Sequence, residues 1–279
     1  MKSKTEIIVS KKTRILFVNP ISGIEGFLPI GISSLIAVLQ KNGFILDLFD
    51  TTYYKTTAYD DRKKNELVGE FVPVDMSKYG VVREDRDYVL DFNNKIIDFN
   101  PHLIAVTIPT AFNYTLAIKL IEGISAYEGL LVVGGKYVTV NPGKLIKNDK
   151  IDIVCVGEGE TPLLELCNSV ENNRSYANIR NLWVKDGRTV VKNEIGLLED
   201  METLPIPNWD LFDKRHFYKP FNGRAYRYGH VEFSRGCPQR CSYCINENLQ
   251  KLYKGKGKYF RKKSVDNIIE EMEYLKHKY

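Results

Sequence analysis

Through roughly the first 170 residues, short unbroken apolar runs alternate with longer segments whose apolar residues recur every three or four positions. The runs are RILFV (14–18), FILDLFD (44–50), LIAVTI (103–108), LLVVGG (130–135) and the first half of IDIVCVGEGE (151–160). Strands covered on both faces read this way, because neither set of alternating side chains meets water. Between the runs lie PIGISSLIAVLQKNG (29–43), YVLDFNNKIIDFN (88–100), NYTLAIKLIEGISAY (113–127) and TPLLELCNSVEN (161–172). The first of these places Ile32, Leu35, Ile36 and Leu39 on one helical face, begins with Pro and stops at Gly. Strand and helix in alternation predict an α/β domain with a doubly wound parallel sheet over residues 11–173. Residues 51–87 are polar, tyrosine-rich and weakly periodic, and read as an insertion.

After residue 173 the pattern changes. NLWVKDGRTVVKN (181–193) is two strand-like runs around Asp186-Gly187, a hairpin signal. LPIPNWDLFD (204–213), with two prolines, reads as an extended linker, so 174–228 forms a hairpin and linker region. In 229–279, HVEFSRG (230–236) reads as a strand, and SVDNIIEEMEYLKHK (264–278) as a helix with a Ser cap. Val265, Ile268, Ile269, Met272 and Leu275 share one face of that helix.

With 43% hydrophobic and 27% charged residues, the chain can build a sizeable core and is not disordered throughout. Residues 1–10 hold no apolar stretch of signal-peptide length, and no window approaches the roughly 20 apolar residues of a membrane helix. The expectation is a cytoplasmic protein, with no membrane partner. In that compartment clustered cysteines serve metals or redox chemistry more often than disulfides. The net charge of +5 is concentrated in KLYKGKGKYFRKK (251–263), read as a solvated loop. Nucleic acid is not expected as a partner, since neither a broad basic face nor a recognisable module is present.

Two places carry candidate chemistry. Ligands on open parallel sheets sit at the carboxyl ends of the strands, where this sequence puts Asn19, Thr107, Gly134, Gly135, Gly157 and Gly159. The second is FSRGCPQRCSYCINEN (233–248), with Cys237, Cys241 and Cys244 spaced C-x3-C-x2-C. A zinc site would need a fourth ligand from His216, His230 or His277, none at zinc-finger spacing. A dithiol site would use only Cys241 and Cys244. An iron–sulfur cluster with three protein thiolates uses all three and leaves one iron open to a small molecule. Cys155 and Cys167 lie in apolar segments and read as small buried hydrophobes.

The triplet, with Tyr243 before its last cysteine and SRGCP ahead of it, resembles the radical S-adenosylmethionine superfamily. The resemblance implies a 4Fe-4S cluster on Cys237, Cys241 and Cys244, with S-adenosyl-L-methionine (AdoMet) on the open iron and Tyr243 near its adenine. It implies cleavage of AdoMet to a 5′-deoxyadenosyl radical, a small-molecule substrate, and a reducing partner such as a flavodoxin or ferredoxin. RILFVNP, PIGISSLIAVLQKNGFILDLFD, VVGGKYVTVNP and DIVCVGEGETPLLEL resemble the Rossmann-like cobalamin-binding domain of one subclass of that superfamily. Thr107, Gly134, Gly135, Gly157, Glu158 and Gly159 are then cofactor-binding candidates, and methyl transfer or ring rearrangement is the implied chemistry. The D-x-H-x-x-G signature is absent; Asn19-Pro20-Ile21-Ser22 stands in its place, and Lys136-Tyr137 follows the double glycine where His is common. His102 and His230 read as ordinary polar residues. Cobalamin bound without a protein imidazole, or an empty scaffold of the same fold, both remain open. Because Tyr279 falls after the first βα unit of a TIM-type barrel, the chain is expected to be a fragment, inactive alone. A tRNA methylthiotransferase-like enzyme and a non-catalytic Rossmann-like metal- or ligand-binding module are the alternatives.

Overall fold

The strands that the apolar runs predict meet in one sheet. They are β1 (Arg14–Asn19), β2 (Ile45–Asp50), β3 (Leu103–Thr107), β4 (Leu130–Gly134) and β5 (Ile153–Cys155). They are parallel, in the order β2-β1-β3-β4-β5. The direction of winding reverses between β1 and β3, the kind of switch point where open α/β sheets bind ligands. The computed structural model describes residues 12–21, 28–56, 67–69, 72 and 74–279. Ser22, most of the turn that follows β1 and much of the predicted insertion lie outside the described residues.

Alternate side chains of each strand enter two separate cores. Ile15, Phe17, Leu103, Ala105, Val132 and Ile153 pack with Ile32, Ile36 and Leu39 of α1 (Ile30–Lys41) and with Leu163 and Leu166 of α6 (Glu160–Glu171). Leu16, Val18, Ile104, Val106, Val133 and Val154 pack on the other side. Their partners are Phe92 and Ile96 of α2 (Tyr88–Phe99) and Leu116, Ala117 and Leu120 of α3 (Ala111–Glu122). This is the doubly wound, Rossmann-like α/β fold that the unbroken runs require. Two short helices, α4 (Lys136–Val140) and α5 (Pro142–Leu145), follow β4. Asp87 caps α2, its carboxylate accepting from the amides of Val89 and Leu90.

The hairpin at Asp186-Gly187 is present as β6 (Leu182–Asp186) and β7 (Thr189–Lys192). It continues the main sheet, with β6 antiparallel to β5, rather than standing apart. A second hairpin, β8 (Tyr218–Phe221) and β9 (Arg224–Arg227), turns at Asn222-Gly223, both at positive φ. Asn-Gly is the strongest two-residue hairpin signal, and the linker reading passed over it. The preceding segment is extended but not solvated: Trp209, Phe212 and His216 are buried. The Asn208 amide donates to the Ser33 carbonyl of α1 (3.0 Å) and the Trp209 amide to the Tyr279 hydroxyl (3.1 Å).

The last segment holds β10 (Ser234–Arg235), α7 (Asn246–Leu252), β11 (Arg261–Lys262) and α8 (Val265–Lys278). The strand expected over 230–236 is only two residues long, and it pairs antiparallel with β11. The Ser264 hydroxyl accepts from the Asn267 amide as the cap of α8. On α8 only Glu271 and Leu275 are buried, while Val265, Ile269 and Met272 of the apolar face are exposed. Among the described residues no helix is long and apolar enough to cross a membrane.

Candidate functional site

A cavity of about 460 Å³ opens at the carboxyl ends of β1, β3, β4 and β5. Its floor is apolar, made by Phe17, Ala105, Val132 and Leu163. Thr107, Gly134, Gly135, Gly157, Glu158 and Gly159, six of the seven predicted cofactor contacts, line it. The facing wall comes from the last segment: Arg235, Asn246, Tyr253, Tyr259 and Arg261. None of these five was singled out from the sequence. A later stretch of polypeptide, beyond the last strand of the sheet, therefore closes the ligand-binding edge of the sheet.

Two of the glycines are required by the chain itself. Gly135 has φ +114°, and a Cβ there would lie 2.7 Å from the Ile108 carbonyl oxygen. Gly157 has φ +104°, and its Cβ would lie 2.7 Å from the Tyr253 hydroxyl. In both cases backbone conformation and close packing exclude a side chain, with no ligand needed to explain the glycine. Gly134 is looser; a Cβ would sit in ordinary contact, 3.6 Å from that of Cys155. Cys155 itself is buried and borders the cavity. Burial, helped by the Glu160 charge, pushes its thiol up to about 12, so it stays protonated and apolar at neutral pH.

Glu158 and Glu160, in the turn after β5, face two arginines of the last segment. The Arg235 guanidinium sits 2.6 Å from Glu160 and 2.9 Å from Glu232, with Glu158 at 3.8 Å. Arg261 pairs with the same Glu158 oxygen. The Glu199 amide donates to the other Glu158 oxygen (2.8 Å), and the Ser34 hydroxyl donates to Glu160 (3.0 Å). Glu160 is the first residue of α6, where the helix dipole favours an anion. Burial opposes its charge, yet the Arg235 charge and hydrogen bond outweigh burial and hold Glu160 below the usual glutamate range. For Glu158 the balance goes the other way, and burial leaves it above that range despite both guanidiniums. Two of the basic residues assigned to a solvated loop are thus internal. Arg261 is in this network, and Lys263 is buried in a pair with Glu271. A buried cation is retained only where a carboxylate meets it.

Cys237, Cys241 and Cys244 share the loop between β10 and α7, none of them in a disulfide. Cys241 is exposed and the other two are half-buried. The Cys244 amide donates to the Cys241 carbonyl (3.0 Å), and the Gln250 side chain donates to the carbonyls of Cys237 (2.9 Å) and Gln239 (3.1 Å). Gly236, just ahead of the loop, has φ +82°, and a Cβ there would lie 2.2 Å from the Tyr259 carbonyl oxygen. The glycine of SRGC thus sits where the chain after β10 runs against the backbone leading into β11, with no room for a side chain. The Asn246 side chain donates to the Cys244 sulfur at 3.3 Å. Among the described residues no three Cys, His, Asp or Glu side chains form a preassembled metal cage. Thiolate sites are commonly drawn together by the metal they bind. Tyr243 is 91% exposed and stands apart from the cavity lining.

The histidines sit elsewhere. His102 accepts from the Arg14 amide (3.1 Å) at the amino ends of the strands, the edge away from the cavity. His216 is buried, its Nε2 2.6 Å from the Asp50 carboxylate at the end of β2. Asn19 also donates to Asp50 (3.1 Å), as do the amide and hydroxyl of Thr52. The linker is therefore latched to the sheet by a histidine that the sequence offered only as a zinc ligand at the wrong spacing.

The family model described as the B12 binding domain matches residues 27–167, half of the chain. The chain belongs to the B12-binding domain family. It is 32% identical over 197 residues to an uncharacterized methyltransferase of Pyrococcus horikoshii, covering 68% of this chain and 40% of that protein. It is 23% identical to the cytidylyl-2-hydroxyethylphosphonate methyltransferase of Streptomyces wedmorensis, covering 90% of this chain and 49% of that protein. The chain thus spans about half the length of these relatives or less. Among solved structures it resembles TsrM of Kitasatospora setae, a radical S-adenosylmethionine methyltransferase. One TsrM structure, with tryptophan and a SAM analogue, gives a TM-score of 0.63 at 19% identity, over 94% of this chain and 45% of that one. Another, with cobalamin and a 4Fe-4S cluster bound, gives 0.59 over 96% and 46%. At that identity the likeness is one of fold.

Proposed function

We propose that this chain is the cofactor-binding half of a cobalamin-dependent radical S-adenosylmethionine enzyme, with methyl transfer as its reaction class. One observation carries the reading. The cavity at the strand ends of a B12-binding domain is walled by the segment that bears the cysteine triplet, with Gly236 and Asn246, close neighbours of the triplet, in its lining. The residues present suit both groups. The apolar floor of Phe17, Ala105, Val132 and Leu163 accepts a flat heterocycle such as the base of a nucleotide tail. Thr107 at the rim offers its hydroxyl to an amide side chain. Three soft thiols on one loop are the donor set of an iron–sulfur cluster with one open iron. When bound, these groups would supply radical formation from AdoMet and a methyl carrier.

The protein's own work is placement. The Glu158, Glu160, Arg235 and Arg261 network fixes the cysteine-bearing segment over the sheet edge, and Leu249, Tyr253 and Tyr259 keep water from the shared wall. Asn19 and Pro20 occupy the positions where a cobalt-ligating histidine would stand, and His102 lies at the far edge. Cobalamin would therefore be held without a protein imidazole on cobalt. Substrate and reductant, the latter of flavodoxin or ferredoxin type, would meet the chain on the cysteine side.

The test has two arms. Anaerobic reconstitution with iron and sulfide is expected to load about four irons per chain, the content of one cubane. Cys237→Ala, Cys241→Ala and Cys244→Ala should each abolish loading, and Cys167→Ala should not. Titration with hydroxocobalamin is expected to saturate, with a spectrum that His102→Ala leaves unchanged. Stoichiometric zinc without iron uptake, together with no cobalamin saturation, would replace this reading by that of a non-catalytic metal-binding module.

A further inference from the structure

Behind the cysteine loop, three side chains form a continuous chain from the cavity to one sulfur. Tyr253 and Tyr259 are stacked, with ring centroids 5.9 Å apart and planes at 28°, and both line the cavity. The Tyr259 hydroxyl donates to Asn246 Oδ1 at 3.0 Å. Asn246 Nδ2 in turn donates to the Cys244 sulfur at 3.3 Å. The Tyr259 backbone passes beside Gly236, the residue before Cys237, so closely that a Cβ on Gly236 would lie 2.2 Å from the Tyr259 carbonyl oxygen.

We propose that Asn246, oriented by Tyr259, is a positioning residue that sets the reduction potential of the iron–sulfur site through its hydrogen bond to the Cys244 sulfur. The inference rests on the cluster reading above and deepens it. An amide has one acceptor and two donor hydrogens. With Oδ1 engaged by a phenol hydroxyl, the NH₂ end is the one turned to sulfur, and the amide cannot flip without losing both bonds. Sulfur is a weak acceptor as a thiol and a stronger one as a metal-bound thiolate, because charge on either partner shortens and strengthens a hydrogen bond. Reduction by one electron adds negative charge to the cluster and its thiolates. A fixed N–H directed at one of those sulfurs stabilises the reduced form over the oxidised form, which raises the potential. Among the described residues no side chain donates to the sulfur of Cys237 or Cys241, so the effect is directed at one corner of the cluster. Tyr259 also faces the cavity, so a molecule bound there touches the residue that orients the donor.

The experiment is an EPR-monitored redox titration of the chain reconstituted anaerobically with iron and sulfide, with iron content measured on every sample. Asn246→Leu keeps the branched outline of the side chain and removes the donor. It is expected to load iron as the wild type does and to shift the midpoint to a more negative potential. Tyr259→Phe leaves the amide in place but frees it, and is expected to shift the midpoint the same way by less. Because Tyr259 acts through Asn246, the double variant should match Asn246→Leu alone, the non-additivity of residues in one network. Lys251→Ala, at a solvent-exposed pair with Glu247, should leave the midpoint where it is. An Asn246→Leu chain with full iron and an unmoved midpoint overturns the proposal, as does a Tyr259→Phe shift that adds in full to that of Asn246→Leu. If Asn246→Leu fails to load iron, the Tyr259→Phe midpoint decides: a negative shift supports the proposal and an unmoved one overturns it. A wild-type chain that takes up no iron defeats the cluster reading itself, a result distinct from iron uptake with an unmoved midpoint.

Discussion

The parallel sheet and the segment from 229 to 279 are held in different ways. The sheet has two apolar cores, and the middle residues of β1 and β3 are almost without exposure. The last segment contributes few buried apolar residues, chiefly Leu249, Tyr253 and Leu275, and leaves Val265, Ile269 and Met272 in contact with solvent. It is attached instead by directed polar contacts. These are the Arg235 and Arg261 pairs, the Lys278 pair with Asp210 (2.6 Å), and Glu202 accepting from the Ser264 hydroxyl (2.9 Å). Hydrophobic burial is non-directional and makes a domain stable. Charged hydrogen bonds are directional and fix one surface over another. The difference teaches that this molecule separates stability from placement: the sheet supplies the first and the ionic network the second.

The comparison can be broken at its strongest point. Arg235→Ala strands Glu160 and Glu232 in a part-buried site and leaves Glu158 to Arg261. Removing one member of a buried pair costs about 3–5 kcal/mol. The loss should appear mainly as release of 229–279, seen as faster hydrogen exchange in that segment while the amides of β1 and β3 stay protected. Equal loss of protection in the sheet would show that the two regions are one cooperative unit.

The converse substitution is Ile104→Ala, in the core between the sheet and α2 and α3. It should lower the stability of the whole molecule by about 2–5 kcal/mol, the range for such truncations. Chemical denaturation followed by circular dichroism should show one shifted transition, with sheet and last segment melting together.

A smaller effect separates the two glutamates by pH. The pKa of Glu160 is depressed by Arg235, so its contribution is complete above the ordinary glutamate value and is lost as the pH falls through the depressed one. Glu158 is raised by burial, takes its proton earlier, and so does not cause the loss on the acid side. Thermal midpoints measured from pH 7 down to 3 should fall less steeply for Glu160→Gln than for the wild type. Parallel curves would place the acid sensitivity elsewhere. The smallest effect belongs to Lys251→Ala, whose pair with Glu247 (2.9 Å) lies in solvent. Surface pairs of this kind contribute little, and the thermal midpoint should not move measurably.

The elements of the sheet were legible because each carries its own signal. A strand buried on both faces must be apolar throughout, so LIAVTI and LLVVGG mark β3 and β4, and helical periodicity between them marks α1, α2, α3 and α6. The cysteine triplet was legible for a similar reason, since three ligands on one loop leave their spacing in the sequence. The strand-end glycines could be named but not explained: Gly135 and Gly157 answer to Ile108 and Tyr253, contacts that no local pattern displays. Only the tertiary structure decided that the basic run would turn Arg261 and Lys263 inward, that His216 would meet Asp50, and that Asn246 would stand between Tyr259 and Cys244. The physical reason is the same each time. Periodicity and ligand spacing are properties of a segment, whereas a charge pair or an oriented hydrogen bond belongs to two particular side chains, near or far in sequence, and exists only once the folded chain has brought them within about 3 Å.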